Sequence, residues 1–168
     1  MHRFGVCLAS LSVVLLQGCG IHYGFSQGGG LPSHIRTVAI LPFENQTSSP
    51  DIGKEIYDQM RAELQKRLGL RDAPQERADA IVRGTIVSYD ADVPVSFSAN
   101  PTQAVSARRR LQVTVDVAIV EQSSGKTLFQ ARGRREEGEY AERAEADGRR
   151  QAVQRIVDAI VEGMQSQW

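Results

Sequence analysis

The chain has 168 residues, with 20 lysines and arginines against 20 aspartates and glutamates, and therefore no formal net charge at pH 7. A general nucleic-acid binder would be markedly basic, so this balance argues against that class. The length predicts one ordinary domain, large enough to bury most of its chain surface.

The first element is an apolar run over residues 4–16, preceded by a single charged residue, Arg3. A stable transmembrane helix needs about 20 apolar residues, so this run is too short to span a bilayer and instead has the length of a signal-peptide core. It ends at Leu16-Gln17-Gly18-Cys19, which resembles the bacterial lipobox, where the cysteine thiol takes a diacylglycerol group. We therefore expect residues 1–18 to be a lipoprotein signal peptide and Cys19 to be the lipidated residue.

Cysteine usage agrees with lipidation. Cys7 lies within the expected signal peptide, so the processed chain would hold Cys19 alone and no internal disulfide. Stable anchoring needs at least two acyl chains, and a mature bacterial lipoprotein carries several, palmitate among them. Gly20 follows the cysteine; an aspartate there would indicate retention at the inner membrane, so Gly20 is compatible with the outer membrane. Residues 19–33 then form a glycine-rich tether, and we expect no cofactor apart from the covalent lipid.

The folded domain is predicted to span residues 34–168. It opens with a buried-type strand at 37–41, followed by a turn-rich loop and a helix at 51–68, whose apolar residues recur every four positions. A short extra strand at 70–72 is an open alternative.

A long strand is predicted at 78–90, then a long loop, and then the clearest strand of the chain at 108–122. The Ser-Ser-Gly-Lys turn at 123–126 returns the chain into a hairpin partner at 127–138, and a last helix follows at 141–165.

The element order β-α-β-β-β-α predicts the fold class. Each helix has one apolar face and so does the hairpin, so both helices should pack on one side of a mixed, roughly four-stranded sheet and leave the other side polar. This is an α+β fold, a two-layer α/β sandwich. We expect Val115 and Val117 to face the helices, and Ile156 and Ile160 to face the sheet.

Candidate catalytic residues are scarce. His34 is the only histidine of the expected domain, and the sequence has no metal-binding or nucleophile motif. Asp79, Asp90 and Asp92 flank strand ends and, without a histidine or cysteine partner, are expected to be turn or solvated residues. We therefore expect neither an enzyme nor a metal site.

One stretch carries a family resemblance. The segment "GGGLPSHIRTVAILPFENQT", behind the "GCG" motif, resembles the LPS-assembly lipoprotein family, LptE. The similarity continues through "ADAIVRGTI", "RLQVTVDVAIVEQSSGKTLF" and a last helix ending in Trp168, and residues 35–47 are its most specific part. The resemblance implies a small α/β sandwich, in agreement with the element order, and a lipid-anchored protein on the periplasmic face of the outer membrane.

The resemblance also implies partners. A member of this family would sit inside or against the barrel protein LptD, and the two together would insert lipopolysaccharide into the outer leaflet, with no role for nucleic acid. However, "VAILPFEN" also resembles the opening strand of other periplasmic lipoprotein domains. The alternative is therefore a periplasmic lipoprotein adaptor that regulates a cell-wall synthase or another secretion pore.

Two loops are candidate contacts with the barrel, because a plug must bury polar loop and sheet surface against the barrel wall. The first loop offers Phe43 and Asn45, and the second offers Phe97 and Asn100. The alternative is that Phe43 caps the core and that both loops are solvated.

An arginine cluster is the candidate lipopolysaccharide contact, because the planar fork of arginine suits phosphate and lipid A carries phosphates. In the simplest hairpin register, the solvent face carries four arginines with few acids between them: Arg108, Arg110, Arg132 and Arg134. The alternative is a solvated face whose arginines pair locally with Asp116 and Glu136.

We predict that Cys19 is acylated in cells, because the apolar run ends at this cysteine and a glycine-rich tether follows it. Mass spectrometry of the membrane-extracted protein should give an N-terminal Cys19 bearing acyl chains. A processed chain recovered from the soluble periplasm with a free thiol would contradict the prediction.

Overall fold

A computed structural model describes residues 31–93, 109–141 and 143–166. The two helices of these segments are α1 (Ile52–Leu68) and α2 (Glu145–Ser166). Their six strands are β1 (Thr37–Ile40), β2 (Glu44–Asn45), β3 (Arg71–Asp72), β4 (Ala80–Val93), β5 (Arg109–Glu121) and β6 (Thr127–Tyr140). A short 3-10 turn, Gln75–Arg77, leads into β4.

The strands form one mixed sheet in the order β3-β1-β4-β5-β6, and β2 pairs with β4 in line with β1. β1 runs parallel to β3 and β4, whereas β4, β5 and β6 form an antiparallel meander. The predicted α+β class, with two helices on a mixed sheet, is confirmed, and the extra strand at 71–72 is present. The sequence does not predict β2, because a two-residue strand has no periodicity to read.

The break between β1 and β2 is caused by Pro42, which has no N–H to donate to the sheet. Leu41 still donates its N–H to the carbonyl oxygen of Val82 at 2.9 Å, but the pairing with β4 then shifts by one residue before β2 begins. Phe43 is only 8 % exposed, and its ring lies over Gly84, where an added Cβ would come within 2.4 Å of a ring carbon. Phe43 therefore closes the core at this end of the sheet.

Helix α1 buries the apolar stripe that the sequence predicts. Ile52, Ile56, Met60 and Leu64 are fully buried, at a spacing of four residues. The helix ends at Gly69, whose left-handed backbone (φ +66°) lets its N–H reach the carbonyl oxygen of Gln65 at 3.1 Å. The predicted bounds of this helix are confirmed to within one residue.

The register of the central strand is also confirmed. Val115 and Val117 of β5 are buried at 0 % and 2 % exposure, and Ile156 and Ile160 of α2 at 0 % and 1 %. All four belong to the single core cluster that the helices share with one side of the sheet. A one-residue slip of β5 would send its valines to the opposite side.

Helix α2 begins at Glu145, later than the start predicted at residue 141. Strand β6 runs on to Tyr140, and the chain then turns through Arg143 in the left-handed region (φ +72°). This turn lets α2 fold back along β6 so closely that an added Cβ at Gly138 would lie 1.8 Å from the carbonyl oxygen of Gly148. The two glycines therefore set the distance between helix and strand.

Polar bonds near the starts of the helices tie α2 to α1 and to β4. Arg149 of α2 binds Glu55 Oε1 of α1 through Nε at 2.9 Å and through Nη2 at 2.8 Å. The Tyr89 hydroxyl of β4 donates to Glu145 Oε1 at 2.5 Å. Burial, together with this hydrogen bond, raises the pKa of Tyr89 to about 12, so the hydroxyl keeps its proton at physiological pH.

Neither helix of the described segments combines the length and the apolar character needed to cross a bilayer.

We predict that Gly138→Ala destabilises the protein by about 3 kcal/mol or more, because the new methyl group meets the backbone of α2 and not a movable side chain. Gly53→Ala, in the first turn of α1, is the matched control, because its Cβ would lie 3.8 Å from Ile86 Cδ1 of β4, an ordinary van der Waals contact. That substitution should stabilise by about 0.5–1 kcal/mol. Urea unfolding of both variants measures the difference, and equal midpoints would show that the glycine contact is loose.

Candidate functional site

The side of β4, β5 and β6 that the helices do not cover, here called the open face, is the candidate site. Six of its residues line a shallow depression across the three strands: Arg83, Thr85, Asp116, Ala118, Gln130 and Arg132. Arg83, Gln130 and Arg132 are exposed, and the others are half-buried. Long polar side chains thus surround a floor made by small ones.

A β-bulge in β6 decides which arginines reach the open face. Val117 pairs with Ala131 and Val115 pairs with Arg134, so Arg132 and Gly133 together oppose Asp116. Gly133 adopts a left-handed backbone (φ +59°) and donates its N–H to Asp116 Oδ1 at 2.6 Å.

The bulge overturns the predicted position of Arg134. In a regular strand, Arg132 and Arg134 would share one face. The extra residue instead places Arg134 opposite Val115, on the helix-covered side, and Arg135 opposite Thr114, on the open face.

The expectation of few acids among the arginines is also wrong. Beyond the bulge, Glu137 and Glu139 face the same side as Arg110, whose guanidinium lies 3.2 Å from Glu137 Oε2 and 4.0 Å from Glu139 Oε1. Arg134 is paired with Glu136 at 2.7 Å. Arg110 and Arg134 therefore form ion pairs with neighbouring glutamates, as the alternative of a solvated face predicts. Arg108 lies outside the described residues.

Three arginines of the open face remain without a carboxylate partner in the described segments: Arg83, Arg132 and Arg135. The Gln130 amide, with its oxygen turned to the guanidinium, accepts from Arg132 Nε at 3.1 Å and from Nη2 at 3.2 Å. The sequence could have identified Arg83 as a residue of the open face, because neighbouring residues of a strand point to opposite sides and Val82 is buried. Arg135 could not be found in this way, because the bulge leaves no periodic signal.

The first candidate partner loop is shaped by its own hydrogen bonds. Asn45 Oδ1 accepts from the N–H of Thr47 at 3.0 Å and from its hydroxyl at 2.7 Å, while Asn45 Nδ2 donates to the carbonyl oxygen of Ser49 at 2.8 Å. Phe43 points into the core, so the alternative in which it caps the core holds. Phe97 and Asn100 lie outside the described residues, and the contact roles of all four remain predictions.

The titratable groups at the opposite end of the sheet are used in hydrogen bonds within the fold. Asp79 Oδ2 accepts from the N–H of Arg36 at 2.9 Å, and from the N–H and hydroxyl of Thr37 at 2.8 Å each. The Arg36 N–H above all, followed by the Thr37 groups, lowers the pKa of Asp79. His34 Nε2 lies 2.6 Å from Glu121 Oε1. The described segments contain no group of three histidine, cysteine, aspartate or glutamate side chains that could hold a metal ion.

The two ends of the sheet carry different parts of the chain. His34, Asp79 and the β5–β6 turn lie at one end, where the N-terminal segment enters. The end of β4 and the start of β5 lie at the other end, whereas β2 pairs with Thr85 and Ile86, so the loop after β2 begins about halfway along β4. A 14-residue strand such as β4 spans about 45 Å, so the two ends are well separated.

Comparison with solved structures defines the class of fold. The chain resembles PelC, solved as a dodecamer, from Paraburkholderia phytofirmans, with a TM-score of 0.53, 13 % identity, and coverage of 81 % of this chain and 96 % of that one. It also resembles a candidate lipoprotein from Caulobacter crescentus CB15, with a TM-score of 0.50, 16 % identity, and coverage of 74 % and 88 %. At such identities the likeness establishes the α+β sandwich alone. No curated protein matches the chain by sequence.

The family follows from a sequence model. The model for LptE, the lipopolysaccharide-assembly family, matches residues 35–162. The chain therefore belongs to the LptE family, which confirms the resemblance seen in the sequence. This is a non-enzymatic family of outer-membrane lipoproteins.

Proposed function

We propose that this protein is anchored by a lipid on Cys19 to the periplasmic face of the outer membrane, where it acts with an LptD-like barrel in the insertion of lipopolysaccharide. The observation that carries the proposal is the match of the LptE model over residues 35–162. The apolar run that ends at Cys19 supports the anchor.

The topology is compatible with two separate tasks for the two ends of the domain. The chain from the proposed anchor enters beside His34. The first loop expected to meet the barrel follows β2, about 20 Å along β4, and the second follows the end of β4, about 45 Å along it. A plug held in this way could reach into a barrel with its far end while the anchor stays in the membrane.

We assign the proposed lipopolysaccharide contact to the described arginines of the open face that have no carboxylate partner. Arg110 and Arg134 are neutralised by neighbouring glutamates, whereas Arg83, Arg132 and Arg135 have no carboxylate partner in the described segments. Guanidinium groups can bind phosphate through paired hydrogen bonds, and lipid A supplies the phosphates. Arg108 remains a candidate from the sequence.

The barrel partnership can be tested with photo-crosslinkers at Phe97 and Asn100, and with a control crosslinker at Gln122, an exposed residue at the entry end. Crosslinks from the first two positions to an LptD-like barrel, and none from Gln122, are the expected result. Crosslinks to a cell-wall synthase or to a different pore would replace the proposal with the adaptor alternative.

The lipid contact can be tested by substituting arginines on the two sides of the sheet, because the bulge places Arg135 on the open face and its neighbour Arg134 on the helix-covered side. The triple variant Arg83→Gln, Arg132→Gln and Arg135→Gln should lower the affinity for lipopolysaccharide roughly tenfold or more, because it removes three charged donors. Arg134→Gln, the matched control, should leave the affinity unchanged. Circular dichroism checks that both variants fold, and equal lipopolysaccharide binding by the two folded variants would contradict the arginine assignment.

A further inference from the structure

The depression on the open face carries both signs of charge. Two arginines, Arg83 and Arg132, lie on its border together with two acids, Glu44 and Asp116. We call this depression the mixed-charge bowl. Its arrangement differs from a plain basic patch, in which acids would be absent.

The cross-strand pairing fixes how these groups are distributed. Glu44 of β2 pairs with Thr85 of β4, Thr85 pairs with Asp116 of β5, and Asp116 opposes Arg132 in the β6 bulge. One row of residues therefore runs from an acid, across a threonine and a second acid, to a base.

The next row supplies the floor and the second base. Arg83 pairs with Ala118, and Ala118 pairs with Gln130. Since the side chain of Ala118 is a single methyl group, the longer residues stand above it and enclose a space open to solvent.

The acids of the bowl do not neutralise its arginines in the described segments. Asp116 Oδ1 accepts from the backbone N–H of Gly133 at 2.6 Å, and Glu44 Oε1 accepts from Gln46 Nε2 at 3.3 Å. Each carboxylate keeps a second oxygen that can accept a hydrogen bond from a ligand. The bowl thus offers cationic donors and anionic acceptors side by side.

We propose that the mixed-charge bowl binds a phosphorylated sugar, and that Glu44 and Asp116 are its specificity-determining residues. The phosphate lies against Arg83 and Arg132, and sugar hydroxyl or amide groups donate to the two carboxylates. The inference rests on the proposed function to the extent that lipopolysaccharide is the molecule that presents such a group.

The two carboxylates determine what the bowl rejects. A phosphate without hydrogen-bond donors beside it is repelled by the carboxylates of Glu44 and Asp116. When the phosphate is attached to a sugar, the hydroxyl groups of the sugar donate charge-assisted hydrogen bonds to the same carboxylates, and these bonds offset the repulsion. The bowl therefore selects against bare anions and against densely charged surfaces, although it contains two arginines.

Glucose 6-phosphate and methyl phosphate are suitable probes, because both are phosphate monoesters and only the first carries sugar hydroxyls. Isothermal titration of the full-length protein in detergent micelles should show a roughly three- to tenfold preference for glucose 6-phosphate, the gain expected from one or two net hydrogen bonds. Equal affinity for the two probes, or binding of neither, would overturn the proposal.

The double variant Glu44→Gln and Asp116→Asn tests the role of the acids. It should bind methyl phosphate more tightly than the wild type does and should lose most of the preference for the sugar. The Asp116→Asn change is not expected to disturb the bulge, because an amide oxygen can still accept from Gly133. Asp90→Asn, at an exposed acid of β4 outside the bowl, is the matched control and should keep the wild-type preference. A preference that survives the double variant would refute the role given to the acids.

Failure of this inference can be told apart from failure of the proposed function. If the arginine triple variant loses lipopolysaccharide binding while the wild type shows no preference between the two probes, the open face binds the lipid but the acids do not select it. If the preference is present while lipopolysaccharide binding is unaffected by the triple variant, the bowl is a phosphosugar site and the lipid binds elsewhere.

Discussion

The structure depends on a conflict of periodicity within β6. Phe129 and Ala131 pair with buried residues of β5 near one end of the strand, and Gly138 must lie against Gly148 of α2 near the other. Ala131 and Gly138 are an odd number of positions apart, so a regular strand could not direct both to the helix side. The bulge at Arg132–Gly133 absorbs the odd residue. The charge pattern of the open face therefore follows from the packing of the opposite face.

The elements that bury a continuous apolar stripe can be predicted from the sequence. In α1 and β5 the hydrophobic period alone identifies the inner face, because a shift of one residue would expose several large side chains at once. The predicted positions of Val115, Val117, Ile156 and Ile160 are correct for this reason. The start of α2 is harder to predict, since residues 141–144 fit a helical pattern and only the tertiary contact between Gly138 and Gly148 requires a turn before Glu145.

The face on which each site residue lies is harder to predict. It depends on how β5 and β6 pair around the bulge, and this pairing produces no hydrophobic period in the sequence. A one-residue difference in alignment decides whether Arg134 or Arg135 lies on the open face. A glycine inside a strand can indicate a bulge or a close contact, but "RGRREEGE" holds two glycines, and the sequence does not say which of them forms the bulge. The glutamates beside Arg110 escape prediction for the same reason. For Phe43 the sequence favours neither a contact role nor a core cap. Gly84 decides the question, because its missing side chain is what admits the ring.

The hydrogen bonds around Asp79 have a mechanical consequence. β1 lies between β3 and β4, and Asp79 binds the backbone just before and at its first residue. A pull on the N-terminal segment, such as the proposed lipid anchor would exert, reaches β1 first, and any component of it along the strand loads the hydrogen bonds of β1 together in shear. The Asp79 carboxylate adds its own bonds at the point where the force enters. The domain thus has additional hydrogen bonds at the place where a tethered protein would be strained.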